Sequence, residues 1–339
     1  MFATVEKQRN GIVLINIDNE ETKIVFTNYG ARIVSWKYDD NSIVLGNIVE
    51  ADEFYEPNPF FFGATVGRYG GRIANATFEL DGKTYHLEHN DGAHNIHGGT
   101  NGLDSRFFDY QIEEQVGQIK IIFTIQIKST DDYFPGDIEL KVIHTYDMDH
   151  KWTIEYEATT TEKTLFNPMN HVYFNLNRDN NMIDNHYISS NKLAMYPLGE
   201  DNIVNSTDTI DLSTIFNSNK IQFKELFTSE NPKIKQQMDM FNGVDHPFEV
   251  ENGEMAVENK RFVLQVKTDM PNIVIFTFND TSSWDSDFNI YKAHSGFTLE
   301  TQCIPNDINL YGDKAPSIIT PDQPYYSKTS YKIFEKADI

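Results

Sequence analysis

The 339-residue sequence carries 51 acidic and 28 basic side chains, which gives it a formal charge of −23 at neutral pH. This excess of negative charge argues against nucleic acids and anionic membranes as partners, because their phosphates would be repelled. A single cysteine, Cys303, excludes an intrachain disulfide and metal sites built from clustered cysteines.

Two further features concern compartment and domain organisation. No apolar stretch approaches the roughly 20 residues that a membrane-spanning helix requires, and residues 1–7 lack the basic start and apolar stretch of a signal peptide. We therefore expect a soluble, cytoplasmic protein. The length allows two domains, but large all-β folds commonly reach this size as one. Because no Pro-rich or Gly/Ser-rich linker divides the chain, we predict a single domain over residues 1–339.

The dominant pattern is an alternation of apolar and other residues, which is typical of strands with one buried face. The first clear element is a hairpin, since residues 78–80 and 84–87 flank Asp81-Gly82, a pair suited to a tight turn. Period-two strands follow at 121–127, 138–142, 152–158 and 262–266. One-sided strands in such numbers need a second sheet over their apolar faces. We therefore predict an all-β fold, a large antiparallel β-sandwich, with a pair of eight-strand barrels as the less favoured alternative.

Two segments depart from the strand pattern. Residues 177–219 are rich in Asn, Asp, Ser and Thr, which predicts long surface loops. Helical periodicity is confined to residues 221–240, where Pro232 interrupts it. We therefore expect only one or two short helices.

Residues 63–73 are dense in glycine, which lets the backbone approach other backbone or a ligand closely. No Gly-Lys-Ser/Thr follows, and the glycine spacing does not fit a dinucleotide fingerprint, so a nucleotide site is disfavoured. Arg68 and Arg72 are either solvated side chains of a tight turn or donors of paired hydrogen bonds to a polyhydroxylated ligand or a carboxylate.

Three histidines, His89, His94 and His97, lie within eleven residues. We expect no bound metal, because no His-Glu-x-x-His helix is present and no cysteine accompanies the group. Gly98 and Gly99 open the backbone beside His97, which makes it the best candidate of the three for a ligand contact. A position in a surface loop is the alternative.

Residues 167–176 are predicted to form a strand after Pro168. A period of two places His171, Tyr173 and Asn175 on one face and apolar side chains on the other. Three hydrogen-bonding groups on one face indicate a lined pocket, whereas a buried, hydrogen-bonded histidine would account for His171 alone.

Residues 296–302 repeat this arrangement, with Thr298, Glu300 and Gln302 on one face. Glu is disfavoured in the middle of a strand. Glu300 is therefore either a charge on an edge strand that faces water or a carboxylate held in a cleft as a general base. Asp245 precedes a proline by two residues and could simply fix the turn there.

Five segments together closely resemble the aldose 1-epimerase (galactose mutarotase) family, in the family's order: residues 63–73, 96–99, 167–176, 243–248 and 294–302. Each motif alone is weak, but the five in order span nearly the whole chain. The resemblance implies a large antiparallel β-sandwich with an open, sugar-binding concave face. It also implies interconversion of the α and β anomers of galactose, and usually of glucose, without a cofactor.

The resemblance also implies roles for particular residues. Glu300 matches the family's general base and His171 its general acid, while His97, Arg72 and Asp245 match substrate-binding positions. Anomer exchange needs a base to remove the anomeric hydroxyl proton and an acid to protonate the ring oxygen. A free Glu has a pKa of about 4.3 and a free His about 6.5. We therefore expect an ionised Glu300 and a His171 kept protonated by a nearby carboxylate, Asp245 or Glu300.

Two positions depart from the pattern of some family members. Gly71 stands where they have an Asn before the arginine, and Val274 aligns with a Gln that contacts the sugar. Both leave the implied reaction intact and bear on which aldose is preferred. Three rival functions are a sugar-phosphate epimerase such as a glucose-6-phosphate 1-epimerase, a non-catalytic sugar-binding sandwich, and a metallohydrolase built on the histidine loop.

Overall fold

Antiparallel strand pairing dominates the computed structural model, which describes residues 1–178 and 182–337. The described strands are β1 Phe2–Lys7, β2 Val13–Asn19, β3 Thr22–Thr27, β4 Arg32–Tyr38, β5 Asn41–Ser42, β6 Thr65–Val66, β7 Arg72–Ile73, β8 Thr77–Leu80, β9 Lys83–His86, β10 Asn95–Ile96, β11 Asp109–Gln115, β12 Gln118–Ile127, β13 Ile138–Asp147, β14 Lys151–Thr160, β15 Thr164–Leu165, β16 Met169–Asn170, β17 Tyr173–Phe174, β18 Tyr187–Ser189, β19 Ala194–Met195, β20 Ile210–Asp211, β21 Lys220–Gln222, β22 Asp245–Glu249, β23 Glu254–Glu258, β24 Phe262–Thr268, β25 Asn272–Phe276, β26 Phe297–Thr298, β27 Glu300–Gln302, β28 Ile318–Ile319 and β29 Tyr325–Glu335. The described helices are α1 Ala51–Tyr55, α2 Ser129–Asp132, α3 Leu212–Phe216, α4 Phe223–Phe227, α5 Pro232–Phe241 and α6 Asp307–Tyr311.

Three of the sheets carry the architecture. The largest has nine strands in the order β11-β12-β13-β14-β29-β24-β23-β18-β21, and two five-stranded sheets have the orders β1-β2-β3-β4-β5 and β20-β19-β22-β25-β27. The apolar faces of the nine-stranded and N-terminal sheets share one buried cluster, where Trp36 donates from Nε1 to the Tyr146 hydroxyl at 3.1 Å. The antiparallel β-sandwich predicted from the strand period is confirmed, and the open strand orders exclude the barrel alternative.

The hairpin between β8 and β9 forms as the sequence predicts. Leu80 of β8 pairs with Lys83 of β9, and the two-residue connection places both Asp81 and Gly82 at positive φ, 52° and 73°. This is the backbone geometry that a two-residue hairpin turn requires.

The helices are more numerous than the one or two expected. Residues 221–240 contain α4 and α5, and Pro232 occupies the first turn of α5, where its missing N–H costs nothing. Helices α1, α2, α3 and α6 have four or five residues each, too few to produce a visible helical period. Among the described residues, no helix is long and apolar enough to cross a membrane.

The polar segment 177–219 contains more structure than the predicted loops, although its residues 179–181 lie outside the described part of the chain. It contributes β18, β19, β20 and α3. Leu193 and Met195 are fully buried, and β19 pairs with β22 of the second five-stranded sheet. Long-range pairing therefore overrides the loop-like composition here.

The prediction of a continuous strand over residues 167–176 is wrong in part. The chain forms β16, paired with β6, and β17, paired with β26, and His171 lies in the break between them. The segment changes its pairing partner at His171. The His171 side chain therefore lies at the junction of two short sheets and not within one continuous strand pair.

Candidate active site

All five residues that the sequence assigns to a site line one pocket with a volume of about 200 Å³. The aromatic and polar side chains of its lining are Phe60, Phe61, Arg72, His97, His171, Tyr173, Asn202, Asp245, Phe276, Glu300 and Gln302. Chain positions more than 200 residues apart therefore converge on one concave surface.

Two separate sheets position these groups. In the second five-stranded sheet β22, β25 and β27 are neighbours, and Val274 of β25 pairs directly with Glu300 of β27. Asp245 begins β22. In the other sheet β7 pairs with β10 so that Arg72 lies opposite Ile96, the residue before His97. The register of two short strand pairs thus decides which side chains face the pocket.

Glu300 is buried, with 3% of its surface exposed, and both carboxylate oxygens have donors. The Thr298 hydroxyl donates to Oε1 at 2.8 Å, and the Gln302 amide donates to Oε2 at 3.2 Å. The predicted shared face of these three residues is confirmed. Burial raises the pKa of Glu300 to about 8, although the hydrogen bonds from Thr298 and Gln302 lower it.

His171 lies against this carboxyl group, with its Nε2 3.4 Å from Oε1 of Glu300. Its Nδ1 is buried and has no hydrogen-bond partner in the described part of the chain. Burial lowers the pKa of His171 to about 3. The expectation that a carboxylate raises the pKa of His171 is therefore wrong, because burial outweighs the nearby carboxyl group. Of the two carboxylates considered, Glu300 is the one in contact with the ring.

The raised pKa of Glu300 and the lowered pKa of His171 both favour an arrangement in which the pair shares one proton. The proton resides on Glu300 when both groups are neutral, and its transfer across the 3.4 Å contact gives an ionised Glu300 and a protonated His171. Both forms have the same net charge, so a proton can pass between the two groups without changing the net charge of the pocket.

His97 is held as a neutral hydrogen-bond donor. Its Nδ1 accepts from the Gly71 N–H at 3.1 Å, which leaves the proton of the neutral ring on Nε2. Burial lowers its pKa well below the usual value, with His171 and Arg72 adding to the effect. Gly71 has a φ of 76°, and a Cβ there would lie 2.7 Å from the Pro305 side chain. The positive φ and the close Pro305 side chain together favour glycine at this position.

Arg72 and Asp245 are each oriented by a residue that the sequence analysis did not assign. The Nε of Arg72 donates to Oδ2 of Asp91 at 2.5 Å, and the Asn202 amide donates to Oδ2 of Asp245 at 2.7 Å. Burial raises the pKa of Asp245, opposed by Arg72 and by the Asn202 hydrogen bond. Asp91 lies in the segment that carries His89, His94 and His97. Asn202 lies in the segment predicted to form surface loops, and no local sequence pattern marked it as a site residue.

An apolar wall completes the pocket. The Phe61 ring lies 4.7 Å from the His97 ring and 5.7 Å from the His171 ring, measured between centroids. Phe60, Val274 and Phe276 also line the cavity. Apolar faces and convergent polar groups together suit a ligand with C–H surfaces and several hydroxyls.

Four of the other candidate residues lie outside this pocket. Arg68 is buried and ion-paired with Asp132, so it is neither solvated nor a ligand contact. His89 is exposed, and His94 accepts a hydrogen bond from the Asn75 N–H through Nδ1. Asn175 donates to the Ser295 carbonyl at 2.8 Å. Within residues 1–178 and 182–337, no group of three or more His, Cys, Asp or Glu side chains is arranged to hold a metal ion.

Comparison with known proteins identifies the family. A family model described as aldose 1-epimerase matches residues 13–332. The aldose 1-epimerase of Haemophilus influenzae is 29% identical over 87% of this chain and 88% of that protein, and the galactose mutarotase of Sus scrofa is 29% identical over 98% and 95%. The crystal structure of galactose 1-epimerase from Lactobacillus acidophilus shares the fold, with a TM-score of 0.86, 23% identity and 99% of each chain covered. The chain therefore belongs to the aldose 1-epimerase family.

Proposed function

We propose that this protein interconverts the α and β anomers of a free aldose, with galactose and glucose as the substrates to test first. The observation that carries the proposal is the buried contact between an acid–base pair, His171 and Glu300, inside a pocket lined with hydroxyl-binding groups. The similarity to a galactose mutarotase supports the choice of sugar.

The proposed reaction begins from the form in which Glu300 is ionised and His171 is protonated. Glu300 removes the proton from the anomeric hydroxyl while His171 protonates the ring oxygen, and the bond between C1 and the ring oxygen breaks. Rotation about the C1–C2 bond turns the other face of the aldehyde toward the chain hydroxyl. Ring closure then returns the first proton from Glu300 to the carbonyl oxygen and the second from the hydroxyl to His171. The protons balance over the cycle, so the reaction requires no cofactor.

The remaining residues would bind the sugar. The Nε2–H of His97 and the free N–H groups of Arg72 can donate to sugar oxygens, and Asp245 can accept from hydroxyls. Because Asn202 and Asp91 already hold Asp245 and Arg72 in place, these contacts would be directional and would discriminate between hydroxyl epimers.

The charges of the pocket favour a neutral sugar over a sugar phosphate. Arg72 is the one Lys or Arg side chain among the described lining residues, and it is already paired with Asp91. Glu300 and Asp245 would repel a phosphate placed close to them. A non-catalytic sugar-binding role would leave the buried His171–Glu300 contact without a purpose, since two desolvated ionisable groups are costly.

Polarimetry on freshly dissolved α-galactose tests the proposal. We expect the protein to accelerate the change in optical rotation over buffer, with parallel assays on α-glucose and on glucose 6-phosphate. Faster turnover of the phosphate ester would favour the sugar-phosphate epimerase. If the protein accelerates the change for none of several aldoses, the mutarotase function is ruled out.

A further inference from the structure

Thr298 makes two hydrogen bonds that fix the direction of its hydroxyl proton. The side chain is fully buried, and its Oγ1 accepts from the Phe276 backbone N–H at 3.0 Å. The same oxygen lies 2.8 Å from Oε1 of Glu300. A backbone N–H can only donate, so the hydroxyl's own proton is left for the carboxyl group. Thr298 therefore presents a pre-oriented donor to Glu300.

We propose that Thr298 is a positioning residue that stabilises the ionised form of Glu300 and so sets the fraction of the His171–Glu300 pair that is ready for catalysis. A donor aimed at a carboxyl oxygen favours the carboxylate over the neutral acid. Charge-assisted bonds of this type are about twice as strong as neutral ones. The inference rests on the proposed role of Glu300 as the base and adds a residue to which neither the family motifs nor the resemblance assigned a role.

The surroundings of Glu300 show why this donor matters. Asp245 raises the pKa of Glu300, Arg72 lowers it, and His171 lies 3.4 Å away. The Tyr173 and Tyr331 hydroxyls donate to the Phe60 and Leu299 carbonyls, and burial raises the pKa of each phenol, with the charge of Glu300 adding to the effect. Burial dominates this balance and favours the neutral acid.

Two short hydrogen bonds oppose that burial. The donors are the Thr298 hydroxyl at 2.8 Å and the Gln302 amide at 3.2 Å. The Thr298 bond is the shorter, and it reaches Oε1, the oxygen that also contacts His171. Its loss would therefore change both the proton affinity of Glu300 and the proton exchange within the pair.

The diagnostic variant is Thr298→Val, which keeps the side-chain shape and removes the hydroxyl. The ionised form of Glu300 becomes less stable, so its pKa rises. We expect the pH-independent rate to fall about tenfold and the alkaline limb of the rate profile to move up by about one pH unit. A purely structural role would lower the rate and leave the limb where it is.

Thr298→Ser is the matched control, because it keeps both hydrogen bonds and loses only a methyl group. Its alkaline limb should stay within about 0.3 pH units of the parent's, a small fraction of the unit expected of the valine variant. If the alkaline limb moves equally in Thr298→Val and Thr298→Ser, the shift results from packing and the proposal is overturned.

A direct titration makes the test independent of turnover. Carboxyl ¹³C signals of glutamate-labelled protein can be followed by NMR, with the Glu300 signal identified by its loss in Glu300→Gln. The midpoint should rise in Thr298→Val, and an unchanged midpoint in a folded variant would overturn the proposal. If the parent protein shows no mutarotation, the proposed function fails, while this titration still decides the role of Thr298.

Discussion

Two buried acid–base pairs, Arg68 with Asp132 and His171 with Glu300, differ in how completely their hydrogen bonds are satisfied. Arg68 donates to both Asp132 oxygens, at 2.7 and 2.9 Å, and to the carbonyls of Pro135 and Gly136 at 2.9 Å. His171 and Glu300 meet at 3.4 Å, and Nδ1 of His171 has no partner in the described part of the chain.

We infer from this difference that Arg68 and Asp132 form a structural pair, whereas His171 and Glu300 form the proposed catalytic one. Burial raises the pKa of Asp132 to about 6 and that of Glu300 to about 8. The guanidinium beside Asp132 opposes this rise and favours the ionised carboxylate, whereas Glu300 lies beside an imidazole, which carries no permanent charge, and burial favours its neutral form. A pair whose hydrogen bonds are all satisfied holds its charges in place. A pair with an unpartnered nitrogen can pass a proton to a substrate.

The largest expected effect is on turnover. Glu300→Gln and His171→Asn each remove one proton carrier and keep a side chain of similar shape. We expect each variant to lose roughly two to four orders of magnitude in mutarotation rate, the usual scale for a general acid or base. Circular dichroism and thermal unfolding would show that each variant is folded. A rate within a few-fold of the parent's in either folded variant would reject its assigned role.

The structural pair should affect stability instead. Asp132→Ala leaves the Arg68 guanidinium buried without its carboxylate, and we expect a loss of about 3–5 kcal/mol in the free energy of unfolding, measured with urea. The double variant Arg68→Met/Asp132→Leu should recover much of that loss, because no charge is then buried. A loss below about 1 kcal/mol in the single variant would show that the pair contributes little.

The smallest expected effect is a change with pH in the parent protein. The His171–Glu300 unit needs one proton to work, and the raised pKa of Glu300, about 8, means that this proton is lost as the pH rises through that value. The enzymatic rate should be level near neutral pH and decline above about pH 8. Initial rates by polarimetry, corrected for base-catalysed mutarotation in buffer, measure it. A rate that keeps rising to pH 10 would contradict the one-proton unit.

The local sequence pattern predicts the site best where it coincides with a motif. Alternation along 296–302 placed Thr298, Glu300 and Gln302 on one face, and their hydrogen bonds confirm it. The pattern predicts least where a contact joins residues that are far apart in the chain. The Asn202–Asp245 hydrogen bond joins residues 43 positions apart, and Asn202 lies in a segment whose composition resembles a loop. No local period can encode such a contact.

What the sequence determined by itself is the strand architecture, the Asp81-Gly82 hairpin and the set of residues from Arg72 to Glu300 that form a site. Period-two patterning and turn chemistry are local properties, and the ordered motifs point to a family shared by the whole chain. Only the tertiary structure decided which arginine faces the pocket and which is locked to Asp132. It also decided that the pKa of His171 is lowered and that of Glu300 raised, because a pKa depends on burial and on neighbours brought together from distant parts of the chain.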